Sequence, residues 1–244
     1  MTTSPFWVTA FLDLPRGDLD RALEFWSGVT GHPVSPRRGA HDEFASLLPP
    51  DGDDYLDLQG LADGDGRLHL DLHVENPTFA AEAATELGGH VLVRHEEGYV
   101  VLRSPGGFVF CLVTHPASRR PRPTTWPGGR SMVDQVCLDI PPSAYDVEVE
   151  FWRALTGWEL DHEVSREFAR LEPPDTQPLR WLVQRLDDEA PAVSAHLDLA
   201  AEDRDAEVAR HVALGATPGA RHEEWTVLTD PVGTTYCVTT RKPR

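Results

Sequence analysis

Apolar residues along the first part of the chain recur with two different periods, which predicts alternating strands and helices. The seven residues 68–74 alternate strictly between apolar and polar, as in a strand with one buried face. The spacing of one helix face is shown by Leu19, Ala22, Leu23 and Trp26. A second helix is predicted to begin at Pro77 and to end before the Gly88-Gly89 pair.

Short apolar segments bounded by Pro, Gly and Asp complete the first half. Because such segments are typical of strands, we predict strands at residues 7–14, 44–48, 55–59, 68–74, 90–94, 99–103 and 108–114. The order is then β-α-β-β followed by β-α-β-β-β. Each group leaves one apolar sheet face exposed and is too small to fold alone, so the two groups are expected to pair.

The second half of the chain repeats the first. Five segments recur in the same order at offsets of 124 to 127 residues. They are residues 25–31 and 151–157, 43–50 and 167–174, 69–72 and 196–199, 94–97 and 221–224, and 104–111 and 230–237. This similarity indicates a tandem duplication, and it predicts helices near residues 144–156 and 204–214.

A proline-rich segment at residues 116–130 separates the two copies. It is locally basic in an acidic chain, so it is either a solvated tether or a strap across an acidic surface. We therefore predict domains at residues 1–115 and 131–244. The predicted fold class is α+β, with four modules paired into two half-barrel domains that carry helices outside and a concave sheet face inside.

Charge and composition exclude several classes of function. The 22 basic and 40 acidic residues give a net charge of −18, which disfavours binding to nucleic acid or to an anionic membrane. No apolar segment is long enough for a membrane helix, and the N-terminus lacks the pattern of a signal peptide. Three widely spaced cysteines disfavour a disulfide framework. A cytoplasmic location is expected.

Polar residues on the 68–74 strand are the first candidates for chemistry. Alternation places His69, Asp71 and His73 on one face, and the second copy keeps His196 and Asp198. Residues four apart on a strand are about 13 Å apart, so His69 and His73 cannot share one metal ion. Three interpretations remain: a hydrogen-bonded His–Asp pair lining a pocket, a ligand-binding or general-base pair, and a metal site completed from other strands.

His73 and four further residues are weaker candidates for ligand binding. Cys111 and Cys237 occupy equivalent strand positions, where a buried inert thiol is the default and a reactive thiolate needs a cationic neighbour. Gln135 lies on the first strand of the second copy. Trp181 can face either a ligand or the core, and the sequence does not decide between them.

The order of these motifs resembles the vicinal oxygen chelate superfamily, and more narrowly its tandem glyoxalase-like domain proteins. The resemblance rests on Phe-Trp near the end of the first helix, on His-Leu-Asp-Leu, and on the final hairpin Asp-Pro-Val-Gly-x-x-Tyr-Cys. It implies βαβββ modules, a cleft in the concave sheet face, and kinship with glyoxalase I, extradiol dioxygenases, fosfomycin-resistance thiol transferases and bleomycin-binding proteins.

The resemblance also bears on a metal. Family members that use a metal place ligands on the first strand of the first unit, on the first strand of the second unit and on the last strand. The second position matches His69 and His196. The last strand carries Cys111 and Cys237 where the family pattern has Glu. The first strand offers no clear ligand in the first copy, and in the second copy it offers Asp134 and Gln135, between which the register does not decide. The metal triad is therefore not carried over: we expect no cofactor, with a divalent metal as the disfavoured alternative.

These observations predict a protein that binds a small organic molecule in its concave clefts, with His69, Asp71, His196 and Asp198 as candidate catalytic residues. It would act as a lyase, isomerase or transferase without the usual metal triad. One alternative is a non-catalytic protein that sequesters a drug, as in bleomycin resistance. Another is a metal-dependent glyoxalase or dioxygenase. Enzymatic activity is left open, and a monomer with pseudo-twofold domains or a homodimer is expected.

Overall fold

The computed structural model describes residues 2–64, 66–161, 165 and 167–244. Its helices are α1 (Leu19–Thr30), α2 (Pro77–Glu86), α3 (Tyr145–Thr156) and α4 (Arg204–Ala213). The strands of the first half are β1 (Trp7–Pro15), β2 (Phe44–Ser46), β3 (Leu56–Leu61), β4 (Arg67–His73), β5 (His90–Arg94), β6 (Val100–Arg103) and β7 (Val109–Val113). Those of the second half are β8 (Thr124–Trp126), β9 (Gly129–Ile140), β10 (Glu159–Asp161), β11 (Phe168–Glu172), β12 (Arg180–Arg185), β13 (Ser194–Ala201), β14 (Thr217–Arg221), β15 (Trp225–Thr229) and β16 (Thr235–Thr239).

The element order confirms the predicted α+β class and its repeated modules. The first half reads β-α-β-β and then β-α-β-β-β. The second half reads β-α-β-β-β twice, because it has the additional short strand β10, and the short strand β8 precedes it. The described strands belong to two mixed sheets, one of seven strands from the first half and one of nine from the second. In the described part of the chain, no helix has the length and apolar character needed to cross a membrane.

The helices end where local residue chemistry requires it. Gly31 and Gly157 occupy equivalent positions after α1 and α3, with φ of 73° and 70°, a region that only glycine adopts without strain. Gly28 lies inside α1, and the helix ends at Thr30, directly before Gly31. The side chains of Asn76 and Asp203 accept hydrogen bonds from backbone N–H groups in the first turns of α2 and α4.

The chain forms two compact units, each built from segments of both halves. Unit 1 comprises residues 1–10, 69–118 and 137–195, and unit 2 comprises residues 11–68, 119–136 and 196–244. Unit 1 therefore contains the second module of the first half together with α3 and β10–β12. Unit 2 contains α1, β2 and β3 together with the last module of the chain.

In unit 1, β4 pairs in parallel with β7, and β7, β6 and β5 follow as antiparallel neighbours. One face of these strands packs against helices, and its residues Leu70, Leu102 and Phe110 are fully buried. The ring of Phe110 lies 5.9 Å from that of Phe151 and 5.0 Å from that of Trp152, both on α3. The core of unit 1 is therefore aromatic where α3 meets the sheet.

Unit 2 repeats this arrangement with a more polar core. β13 pairs in parallel with β16, and β16, β15 and β14 are antiparallel neighbours. Tyr236 takes the place of Phe110, and its ring lies 6.1 Å from Phe25 and 5.1 Å from Trp26. The Phe-Trp dipeptides recognised in the sequence repeat are thus core residues in both units.

The C-terminal part of the predicted linker lies on unit 2. The backbone N–H groups of Arg119 and Arg122 donate to Asp53 and Asp51, and the Arg122 guanidinium is 3.4 Å from Asp51. Of the two alternatives for this basic segment, a solvated tether and a strap across an acidic surface, these contacts favour the strap. The sequence did not predict β8, which forms because the residues after Pro123 have N–H groups free to pair with the start of β9.

Candidate functional site

The face of the unit 1 sheet that points away from α2 carries a polar cluster. His69 and Asp71 are two residues apart on β4, so both project from this face. Cys111 on β7 is the register partner of Asp71. His69 Nε2 lies 3.5 Å from Asp71 Oδ1, and the ligand atoms of the three side chains lie within 4.8 Å of one another. Parallel pairing of β4 and β7 therefore builds this cluster.

Unit 2 carries the same cluster at the corresponding positions. His196 Nε2 lies 3.4 Å from Asp198 Oδ1, and Cys237 is the register partner of Asp198. The three ligand atoms again lie within 4.8 Å of one another. Gln135 of β9 donates to Asp198 Oδ2 at 2.5 Å. The structure thus brings four of the candidates from the second copy together in one cluster.

Burial and hydrogen bonding set the charges of these groups. Burial raises the pKa of Cys111 to about 11, although a hydrogen bond with His69 opposes the shift. The thiol is therefore protonated at neutral pH and is not a ready nucleophile. Burial would raise the pKa of Asp198, but His196, Arg241 and Gln135 together hold it below its usual value. Asp198 is accordingly a carboxylate at neutral pH.

Two other candidates lie apart from the clusters. His73 Nε2 is 3.0 Å from the Thr9 hydroxyl, and its Nδ1 is 3.0 Å from the carbonyl oxygen of His115. These bonds tie His73 to its own surroundings, in keeping with the argument that it cannot share an ion with His69. Trp181 is fully buried, with its ring 5.3 Å from Trp152 and 5.2 Å from Trp158.

The same face of unit 1 contains residues that the sequence analysis did not select. Val101 on β6 pairs with Cys111, and Arg103 pairs with Val109. Alternation therefore places Tyr99, Val101 and Arg103 on the face of Asp71 and Cys111. Arg103 is exposed, and Val101 and Val109 are half-buried, so this side of the sheet is accessible to solvent. Knowledge of the register of the β6–β7 hairpin would have identified Tyr99, Val101 and Arg103 as residues of this face.

Stacked pairs of rings lie beside the face in both units. The ring of His95 lies 4.4 Å from that of Tyr99 with 14° between their planes. The equivalent rings of His222 and Trp225 are 4.4 Å apart at 16°. Tyr99 is close enough to Cys111 and Asp71 for their charges to raise its pKa, although burial is the larger cause. The repeated Arg-His-Glu-Glu segment thus supplies one ring of a stacked pair in each unit.

The donor atoms of each cluster constrain the metal ion that the resemblance implies. Each cluster offers one imidazole nitrogen, one carboxylate oxygen and one sulfur, and these atoms lie within 4.8 Å of one another. A single ion can bridge this spacing. Thiolate and imidazole ligands suit Zn²⁺, whereas Mn²⁺ and Mg²⁺ prefer oxygen-rich sites. Binding would also require Cys111 to lose the proton that burial favours. The donor set therefore fits a zinc-like ion better than a manganese ion, and the expected absence of a cofactor stays a prediction.

Comparison with known proteins gives the family of the chain. The family described as "Glyoxalase-like domain" matches residues 9–113 and again residues 135–239. No curated protein sequence matches the chain.

Solved structures with the same fold include a glyoxalase and dioxygenases. The Mn(II)-bound glyoxalase from Novosphingobium aromaticivorans has a TM-score of 0.64 and 16% identity, over 98% of this chain and 82% of that one. The 2,2',3-trihydroxybiphenyl 1,2-dioxygenase from Sphingomonas wittichii has a TM-score of 0.62 and 16% identity, over 97% and 90%. A variant of 4-hydroxymandelate synthase from Streptomyces coelicolor has a TM-score of 0.61 and 14% identity, over 99% and 94%. At these identities the likeness concerns the fold.

Proposed function

Because the chain belongs to the glyoxalase-like domain family, we propose that it binds a small organic molecule on the polar sheet face of each unit. The observation that carries this proposal is the same three-residue cluster in both units. In each, a His–Asp pair on a central strand lies beside a buried thiol, on the side of the sheet away from the helices. A few converging polar groups on a partly apolar surface are typical of small-molecule sites.

The His–Asp pair provides the chemistry of the proposed site. A carboxylate next to an imidazole fixes the orientation of the ring and favours its protonated form. Such a ring can donate a hydrogen bond to a carbonyl or hydroxyl oxygen of the ligand, or take up a proton from it. Cys111, held as a neutral thiol, contributes packing rather than covalent attack. The residues therefore support binding and proton transfer better than nucleophilic catalysis.

The proposal is tested by thermal-shift screening of small acids, amides and alcohols against the full chain, followed by calorimetric titration of the hits. We expect His69→Ala and His196→Ala each to weaken binding by about tenfold, because each removes a hydrogen bond to the ligand. The matched control is His90→Ala, an exposed histidine on β5. Ligands that bind all three variants as they bind the unaltered chain would exclude the clusters as the site.

A second candidate is metal-assisted chemistry, favoured by the close approach of three ligand atoms in each cluster. In unit 1 the ion would be held by His69, Asp71 and Cys111, and a bound ion would supply Lewis acidity. Elemental analysis after incubation with Zn²⁺ and dialysis tests this. We expect Zn²⁺ to be retained and to raise the melting temperature, and Cys111→Ser with Cys237→Ser to abolish both effects. Retention of Zn²⁺ by the double variant would contradict this site.

A further inference from the structure

We propose that the open face of unit 1, but not that of unit 2, selects an anionic ligand, a small organic acid whose carboxylate pairs with Arg103. This inference rests on the proposed function, and it names the ligand class for one of the two faces. It begins from the difference between two sheet faces that otherwise share one framework.

Strand register places Arg103 on the same row of the unit 1 face as His69. Arg103 pairs with Val109 across the β6–β7 hairpin, and Val109 precedes Cys111 by two residues as His69 precedes Asp71. The row therefore runs from His69 through Val109 to Arg103. Two strand spacings separate its ends by about 10 Å, which a small organic molecule can span.

The charge of Arg103 is available to a ligand. Its side chain is exposed, and among the described residues no acidic side chain pairs with it. Most arginines of this acidic chain do have such a partner, for example Arg38 with Asp57 and Arg67 with Asp13. A guanidinium binds a carboxylate through two parallel hydrogen bonds, and such bonds to charged groups are the stronger kind.

The residues beside Arg103 suit the apolar part and the second polar group of an organic acid. Val101 and Val109 are half-buried and offer apolar contact between the two polar ends. His69 and Asp71 can bond a hydroxyl or carbonyl group at the far end. The fit is therefore for an acid that carries a second hydrogen-bonding group and an apolar part.

Unit 2 lacks the cation. Thr229 pairs with Thr235 at the positions that correspond to Arg103 and Val109, although the His196, Asp198 and Cys237 cluster is retained. A carboxylate on that face would meet hydroxyl groups instead of a guanidinium. Arg241 lies near the unit 2 cluster, but it is 2.9 Å from Asp134, so its charge is already compensated in a chain of net charge −18. The two faces are thus predicted to differ in the ligand charge that they accept.

The test uses 3-phenyllactate and its neutral amide as probes, titrated calorimetrically into the full chain. We expect the acid to bind at least about tenfold more tightly than the amide. Arg103→Gln should remove this preference by weakening the acid alone. The matched control is Arg94→Gln, because Arg94 is also exposed but pairs with Val100 and so belongs to the other sheet face. Thr229→Arg should create a second site for the acid.

The outcomes separate this inference from the proposed function. Equal affinities for acid and amide, or an unchanged affinity of Arg103→Gln for the acid, would overturn the inference. If His69→Ala still weakens both probes in that case, the proposed binding site stands. Failure of both probes to bind the unaltered chain would contradict both proposals. Loss of acid binding in Arg94→Gln would also count against the inference, since a general charge effect would then explain it.

Discussion

The same packing position is apolar in unit 1 and ionic in unit 2. In unit 1, α2 packs on β7, and the side chains of Ala80, Ala84 and Phe110 are fully buried. The corresponding residues of unit 2 are Glu207, His211 and Tyr236. The two copies of this fold thus have chemically different cores. Only the core of unit 2 depends on hydrogen bonds between its polar side chains.

The polar side chains in the core of unit 2 form a nearly complete hydrogen-bond network. His211 Nδ1 is 2.9 Å from the Tyr236 hydroxyl, and its Nε2 is 3.1 Å from Glu207. Glu207 also accepts from Ser131 and Arg210, each at 2.6 Å. Arg210 donates in addition to two carbonyl oxygens near the end of α1. Such a network stabilises a core only while every member keeps its partners.

Breaking the network at its centre should have the largest effect. Glu207→Ala leaves the half-buried Arg210 and the buried His211 without their carboxylate. We expect a loss of about 3–5 kcal/mol in the free energy of unfolding, measured with urea. The comparison is the triple variant Glu207→Ala, His211→Ala and Tyr236→Phe, which copies unit 1. It should recover most of the loss. A triple variant as unstable as the single one would show that the ionic core is not interchangeable with the apolar core.

The reverse change in unit 1 should cost less. Phe110→Tyr places a hydroxyl among fully buried apolar groups, with alanine at the position where unit 2 has His211. An unsatisfied buried hydroxyl costs about 1–3 kcal/mol, and urea unfolding would measure it. Phe110→Leu serves as the control for altered packing alone. An unchanged stability of Phe110→Tyr would mean that water reaches this position.

Some features of the fold and of the site could be predicted from the sequence, and others could not. The strand and helix pattern was correct because alternation at residues 68–74 and the glycine stops are local signals. The pairing of His69 with Asp71 was predictable for the same reason. The approach of Cys111 required the β4–β7 register, and that of Gln135 required knowing which strand lies beside β13. Both depend on tertiary structure.

The composition of the compact units was beyond local signals altogether. Unit 1 needs α3 of the second half against β7 of the first, a contact that no sequence period encodes. The linker strand β8 was missed because three residues between prolines carry no periodic pattern. Arg103 was overlooked because a strand residue with a charge is most often simply solvated, and only the hairpin register places it beside Val109.

Each unit also contains a buried carboxylate that accepts a hydrogen bond from a tryptophan. The carboxylate lies on a helix in unit 1 and in a turn in unit 2. In unit 1, Glu148 of α3 accepts from Trp152 Nε1 at 2.8 Å and from the Gly106 N–H at 2.7 Å. In unit 2 the carboxylate is Asp230 of the β15–β16 turn, which accepts from Trp26 Nε1 at 3.0 Å. Burial raises the pKa of both carboxyl groups. The two units thus keep the hydrogen bond between a carboxylate and an indole, although different elements provide the carboxylate.

The pH dependence of stability should therefore differ between the carboxylates. Burial raises the pKa of Glu148 above 4.5, so its contribution is complete below that pH and is lost as pH rises through the raised pKa. Burial opposes ionisation of Glu207, but bonds from His211, Arg210 and Ser131 lower its pKa to about 2, so its contribution is lost as pH falls from 4.5 towards that value.

Urea unfolding over this pH range would resolve the two effects. We expect Glu148→Gln to reduce the loss of stability on the side of rising pH, and Glu207→Gln to reduce the loss on the acid side. The exposed residue Glu96 provides the control variant Glu96→Gln, which should leave both slopes unchanged. Identical slopes for the first two variants would contradict the assignment of opposite shifts.

The smallest effect is expected from the loss of a single neutral hydrogen bond. Trp181 of unit 1 and Tyr55 of unit 2 are both buried aromatic residues. The Tyr55 hydroxyl donates to the carbonyl oxygen of Val133 at 2.9 Å. Tyr55→Phe removes one neutral hydrogen bond and keeps the ring, so we expect a loss of about 1 kcal/mol in urea unfolding. Trp181→Phe, which instead removes ring volume from the aromatic core, should cost more because it leaves a cavity. Equal losses would indicate that the hydroxyl of Tyr55 matters as much as the packing of the larger ring.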